Sequence, residues 1–205
     1  MEKMKNKKLV FYKILLILLI IVAAVVIGLI VKKHTDRQQN ETKNKEIVQE
    51  FKNMVIETSV EENSTGEVKL PVIEFEGHRV IGIIKIPKID LEYPILDETT
   101  KTTMKKSISR YWGGDINSLG NVSLAGHNNY DGTMFGKNKK LKVGDTFELT
   151  DLSHNTIEYE IYEIFSTDPN DVTILQTTDS KIREVTLITC TNGRAERLII
   201  KAREK

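Results

Sequence analysis

The chain has 205 residues and a single cysteine, Cys190. One thiol cannot close an intramolecular disulfide, so no disulfide framework exists. If the domain faces the outside of a cell, the thiol is free, paired between chains, or functional. The alternative is a buried, inert side chain. The chain also lacks a basic stripe interleaved with aromatics, an internal repeat and a low-complexity tract. Residues 1–33 carry seven Lys and one acid, a net charge of +6. Of 30 basic and 29 acidic residues overall, the remainder holds 23 and 28, net −5. A net acidic domain without a basic face is not built for nucleic acid.

What is present begins with a long apolar run. Ile14 to Val31 is 18 consecutive apolar residues, extended upstream by Leu9–Tyr12 beyond Lys13. A helix needs about 20 such residues to cross a bilayer, and Lys13 can snorkel to the headgroups. The run exceeds a signal-peptide core, and no A-x-A site follows it, so an uncleaved anchor is expected rather than a cleaved leader. Lys3, Lys5, Lys7 and Lys8 precede the run and Lys32, Lys33 and Arg37 follow it. With nearly all of the chain after the span, the expected topology is N-terminus inside and the domain outside the cell membrane.

The expected division is a cytoplasmic arm over 1–13, an anchor over 14–33, a linker over 34–67 and a folded domain over 68–205. Within the linker, Ile47, Val48, Phe51, Met54 and Val55 recur at helical spacing and predict an amphipathic helix from about Asn44 to Thr58. It is either a stalk or a helix packed on the domain. Ser59–Gly66 reads as a loop.

From Leu70 onward short β-type runs alternate with turns. Gly77-His78 marks a hairpin turn, and Pro94 predicts an edge or a bend in LEYPIL. Thr102–Tyr111 predicts a short helix, and Asp171–Gln176 one helical turn. The remainder predicts about eight strands, which favours an all-β fold, a closed or nearly closed barrel with one or two short helices, over a βαβ sheet.

A thiol nucleophile needs help forming its thiolate, donors for the oxyanion it creates, and exposure. Cys190 closes the apolar strand VTLIT just before the turn Thr191-Asn192-Gly193. His34, His78 and His154 read as solvated loop residues. His127 differs, because it ends the strand VSLAG, where Gly126 lets the backbone turn. Arg197 opens the strand RLIIK, and strand–turn–strand geometry brings it beside Cys190. Its planar guanidinium suits a substrate backbone or an oxyanion. Arg194 lies in the turn. By position alone, each of these residues also has a plain structural or solvated reading.

Three motifs then carry a family resemblance. Thr186-Leu187-Ile188-Thr189-Cys190 matches the TLxTC signature of sortases. Leu124-Ala125-Gly126-His127 resembles their xxGH motif. Gly82-Ile83-Ile84-Lys85-Ile86-Pro87-Lys88-Ile89, followed by Leu91-Glu92-Tyr93-Pro94-Ile95, resembles the run that opens their barrel. The resemblance covers about residues 68–203. It implies a closed eight-stranded sortase-type β-barrel and a Cys190, His127 and Arg197 triad, with Thr189 helping to position substrate. It also implies a Gram-positive, membrane-anchored thiol enzyme. Such an enzyme cleaves an LPxTG-like sorting signal through a thioacyl intermediate and joins it to an amine of a peptidoglycan precursor or a pilin.

Arg203-Glu204-Lys205 is not followed by a second apolar segment, and no Asp-Pro-Trp or Asp-Pro-Phe lid motif precedes His127 (Asp168-Pro169-Asn170 lies after it). The expectation is therefore class D or a B-like type rather than a pilin polymerase. No cofactor is expected. Some members bind calcium, but Glu74, Glu76, Asp115 and Asp171 are scattered acids, and no metal site is predicted. Two other functions fit the residues less fully. One is a cysteine hydrolase that resolves the acyl-enzyme with water. The other is a non-catalytic anchored binding domain with an incidental cysteine.

Overall fold

The computed structural model describes residues 2–58, 72–177 and 179–205. The loop expected over Ser59–Gly66 lies outside the described residues. Contact density divides the chain into two compact units, Met1–Thr42 and Lys43–Lys205. Helix α1, Glu2–Thr58, supplies the first unit and ends in the second. An 18-residue window of α1 reaches a mean hydropathy of 3.7 with 0% of it buried against protein. A helix this apolar on every side suits hydrocarbon, where the backbone bonds are satisfied internally.

In the second unit the strands are β1 (Glu74–Phe75), β2 (His78–Ile86), β3 (Leu91–Leu96), β4 (Ile108–Trp112) and β5 (Gly120–Ala125). They continue as β6 (Thr146–Asp151), β7 (Thr156–Thr167), β8 (Arg183–Thr191) and β9 (Glu196–Glu204). The sheet order is β1-β2-β3-β4-β5-β8-β9-β7-β6, and a β2–β6 pairing closes β2 to β9 into a mixed eight-stranded barrel. Only β3–β4 and β5–β8 pair in parallel. Closure removes the free edges that a sheet of this composition would otherwise expose.

Alternation explains the interior. Val122 and Leu124 on β5, Val185 and Leu187 on β8, and Ile200 and Ala202 on β9 all enter one buried cluster. Their sequence neighbours point outward, as a period of two requires. β2 departs from the rule through a register shift between Val80 and Gly82. The shift sends Ile81 and Ile84 inside while Val80 and Ile83 stay outside. Gly82 permits it, since a Cβ there would lie 2.5 Å from the Thr150 carbonyl.

Val80 and Ile83 need a cover, and the last turns of α1 provide one. Val48 and Phe51 are buried against Ile73, Phe75, Val80, Ile83 and Leu96, with Ile47 and Met54 alongside. The Asn44 side-chain amide donates to the Lys106 carbonyl at 2.9 Å, and Lys43 and Lys106 both pair with Glu76. His154, expected as a solvated loop residue, is instead partly buried, with its ring 5.1 Å from that of Phe51. The docked turns of α1 lie against β2, four places round the ring from β8.

The helix expected over Thr102–Tyr111 is cut short. Helix α2 is only Thr103–Lys106, and Ile108–Trp112 becomes β4. Tertiary pairing wins there, because Ile108 enters the barrel core and β4 pairs with β5. Pro94 sits where β3 has no β4 partner, and its carbonyl accepts the Ser107 hydroxyl at 2.6 Å instead. The helical turn expected over Asp171–Gln176 is a 3-10 turn, Thr173–Leu175.

Phe51 is 1% exposed, so Phe51→Ala leaves a cavity under α1. The expected cost is about 3 kcal/mol in urea unfolding of the detergent-solubilised chain. A change within about 0.5 kcal/mol would contradict the docking.

Candidate active site

Three neighbouring strands, β5, β8 and β9, set the site. On β8 the outward series is Glu184, Thr186, Ile188 and Cys190, because Val185 and Leu187 fill the interior. Across the β8–β9 ladder, Cys190 faces Arg197, and two residues back Ile188 faces Ile199. Ile188 and Ile199 form an outer apolar cluster with Ile174, packed by Phe165 and Leu175. The thiol therefore stands beside an apolar floor, partly exposed at a strand end.

His127 arrives from the other side. β5 and β8 pair in parallel from Gly120↔Arg183 to Ala125↔Ile188. Extending that register by two residues sets 127 level with 190. The extension is held by three bonds. The Gly126 N–H donates to the Ile188 carbonyl at 3.1 Å, the Thr189 hydroxyl to the Gly126 carbonyl at 2.7 Å, and the Asn128 amide to the Cys190 carbonyl at 2.8 Å. Gly126 is required because a Cβ would lie 2.7 Å from the Phe135 ring. The His127 carbonyl accepts the Phe135 N–H at 3.0 Å. The His127 side chain is exposed.

Arg197 is partly buried, and its guanidinium donates to the Arg194 and Glu196 carbonyls at 3.3 Å each. These long bonds leave most of the five-donor fork for another acceptor. Arg194 lies exposed in the β8–β9 turn, where Asn192, Gly193 and Arg194 all take positive φ. Register thus brings Cys190 and Arg197 face to face, with His127 at the end of the adjoining strand. Thr189 precedes Cys190 on β8. It is 3% exposed, and its hydroxyl bonds the chain itself rather than opening to a substrate.

One wall comes from the segment between β7 and β8. Asn121, on the outer side of β5, donates to the Leu175 carbonyl at 3.1 Å, and its own carbonyl accepts the Thr186 hydroxyl at 2.9 Å. Farther along, the Thr177 hydroxyl donates to Glu184 at 2.7 Å, as does the Tyr162 hydroxyl at 3.1 Å. Burial, with the Glu184 carboxylate beside it, pushes the Tyr162 hydroxyl pKa well up. Asp171 caps the 3-10 turn by accepting from the hydroxyls of Thr167 and Thr173, both at 2.6 Å, and from the Thr173 N–H. Those bonds hold its carboxyl below the usual range, the Thr167 bond most.

Asn121 and Asn128 escaped the sequence reading. The only trace of the first is a polar residue in an otherwise apolar strand. The second is visible only as the neighbour of His127. A separate cavity of about 360 Å³ is lined by His78, Arg79, Asp97, Glu98, Thr103 and Arg110. It lies on the β2–β3–β4 wall and its Arg side chains are paired with Asp97, so it offers no nucleophile. Among the described residues no group of three or more His, Cys, Asp or Glu side chains could hold a metal ion. Glu76 pairs with lysines and Asp115 with Arg110.

A half-exposed thiol with a guanidinium opposite and an imidazole-bearing strand end alongside is equipped for acyl transfer by a cysteine. Residues 84–205 match the sortase domain, and the chain belongs to the sortase family, whose members are cysteine transpeptidases. It is 29% identical to sortase A of Listeria monocytogenes over 71% of this chain and 69% of that protein. It is 32% identical to sortase D of Bacillus subtilis over 65% of this chain and 66% of that one. A solved structure described as a Clostridium perfringens sortase D5 transpeptidase is similar at a TM-score of 0.61 and 28% identity. That match covers 81% of this chain and 98% of the solved one.

The depressed Asp171 pKa has a definite sign. Its contribution to the turn is complete above the unfolded carboxyl value of about 3.9 and is lost as pH falls through the lower, folded value. The Thr173 amide resonance should therefore titrate with a midpoint below about 3.9. A midpoint at or above that value would contradict the cap.

Proposed function

We propose that Cys190 is the nucleophile, His127 the general acid and base, and Arg197 the oxyanion and backbone anchor in cleavage of an LPxTG-like sorting signal. The Cys190 thiolate attacks the carbonyl carbon of the Thr–Gly (or Thr–Ala) bond, and the carbonyl electrons move onto its oxygen. Arg197 stabilises that oxyanion. Protonated His127 gives its proton to the leaving amine as the C–N bond breaks, which leaves a thioester on Cys190. An incoming amine then attacks the thioester, passes its proton to His127 and expels the thiolate. The acceptor is an amine of a peptidoglycan precursor or of a pilin.

The observation that carries this reading is the register pairing of Cys190 with Arg197 on the outer face, beside the segment that carries His127 two residues past the end of β5. Arg197 is favoured over Arg194 because Arg194 is exposed in the turn. The role assigned to Thr189 is to hold the Gly126 carbonyl, not to touch substrate. The relatives include class A and class D members. The extent of the match to the D5 structure supports a class D reading. The apolar stretch of α1 supports a single membrane span with the barrel outside the cell.

The test is mass spectrometry of the chain after incubation with a panel of LPxTG-like peptides. An acyl adduct on Cys190 is expected, and triglycine should convert the product from the free acid to the peptide amide. Cys190→Ala should lower turnover by at least about a thousandfold, and His127→Ala by about a hundredfold or more. The rate should follow a bell in pH, reporting the coupled pair. A folded chain that forms no adduct with any peptide would overturn the assignment.

A further inference from the structure

The parallel ladder between β5 and β8 stops at Ala125↔Ile188, one residue short of Gly126 and two short of His127. Past that point the β5 chain turns away, and something must hold the His127 peptide beside the end of β8. The backbone supplies one bond, from the Gly126 N–H to the Ile188 carbonyl. Side chains supply the others. Thr189 reaches across from β8 to the Gly126 carbonyl. Asn128 reaches back from the His127 side to the carbonyl of Cys190 itself, 2.8 Å away. That acceptor is a carbonyl, so the atom facing it is an N–H donor, whatever the amide's orientation elsewhere.

Asn128 is well placed to act as a rigid arm. Its backbone forms a β-bridge with Met134, the Met134 N–H donates to the Tyr93 hydroxyl at 3.1 Å, and the Phe135 N–H donates to the His127 carbonyl. The segment from Gly126 to Asn128 is therefore clamped between β8 and residues 134–135. Its bond to Cys190 is the one that ends on the nucleophile's own residue.

We propose that Asn128 is a positioning residue for transpeptidation. Resting on the Cys190–His127 reading above, it carries the β5–β8 register past the end of the backbone ladder and fixes the thiol against the imidazole. The acceptor is the carbonyl through which Cys190 joins the turn to Arg197, so the bond also steadies the start of that turn. A fault here changes the alignment of the reacting groups and leaves the apolar floor and the 172–177 wall untouched. It should act on kcat more than on KM, because small displacements of reacting groups cost rate steeply.

The experiment uses the full chain in detergent with Asn128→Ala, Asn128→Asp, Asn128→Gln and Cys190→Ala. Two readouts are taken. The first is steady-state transfer to triglycine of the LPxTG-like peptide that acylates the parent chain fastest. The second is the rate of Cys190 alkylation by iodoacetamide at one fixed pH, which needs no peptide. Asn128→Ala should lower kcat by about tenfold or more with KM within about threefold. The alkylation rate should fall, because the thiol loses its held place beside the imidazole. Asn128→Asp, which keeps the shape and loses the donor, should fall at least as far. Asn128→Gln, which keeps a donor on a longer arm, should recover part of the loss. The proposal is overturned if Asn128→Ala and Asn128→Asp keep kcat within about threefold with an unchanged alkylation rate. It is equally overturned if their losses follow a lowered melting temperature that Asn128→Gln shares. Loss of activity in Cys190→Ala with normal Asn128 variants would sink this proposal alone. Full transfer by Cys190→Ala would sink the catalytic reading and this inference together.

Discussion

The parallel pairing of β5 with β8 is the constraint on which the rest of the site depends. Parallel strands cannot be joined by a tight hairpin, so the chain must leave β5, build β6 and β7, and return. Because the two strands run the same way, their C-terminal ends come to one rim of the barrel, with Cys190 near the end of β8 and His127 two residues past the end of β5. β9 then folds back against β8 through a short turn. An antiparallel ladder puts its first residues beside the last of β8, so Arg197 meets Cys190. Three residues that are distant along the chain, at 127, 190 and 197, reach one rim through strand direction and register, with the Thr189 and Asn128 side chains carrying the register past the end of the ladder.

The barrel gives that rim a rigid base. Val122, Leu124, Val185, Leu187 and Ile200 share one buried cluster, so a slip of one residue in β8 would turn this face inside out. The outer face does not need to be apolar, yet Ile188 and Ile199 make it so beside Cys190, and Ile174 covers them from the loop. Hydrogen bonds join those apolar contacts in holding that loop. Asn121 and Thr186 grip its carbonyls, and Glu184 holds Thr177. The far wall is finished differently, by the last turns of α1, which shield Val80 and Ile83 and leave the Cys190 side open.

The sequence was most legible where a local pattern had one physical solution. The alternating apolar runs predicted a closed β-fold, since strands of that length and number must bury their inner faces. The thiol near one strand end and Gly126-His127 just past another stood out as candidates that the β5–β8 register brings level, and the apolar stretch from Ile14 marked a segment suited to a bilayer. It was least legible where an element's fate depended on a distant partner. Residues 108–112 could pass for helix until β5 is there to pair with them. His154 reads as solvent-facing until Phe51 reaches it from 103 positions earlier in the chain.

By itself, then, the amino-acid order determined the inventory: which side chains can react, which strands must be buried on one face, and which segment favours hydrocarbon. These follow from residue chemistry and from periods of two or 3.6 positions, both of which are local properties. Only the tertiary structure decided the pairings. The register that sets 127 level with 190, the turning inward of Thr189, and the reach of Asn128 to the Cys190 carbonyl all cross more than sixty positions of chain. A hydrogen bond between two such residues depends on where the barrel closes, and no short stretch of sequence carries that information.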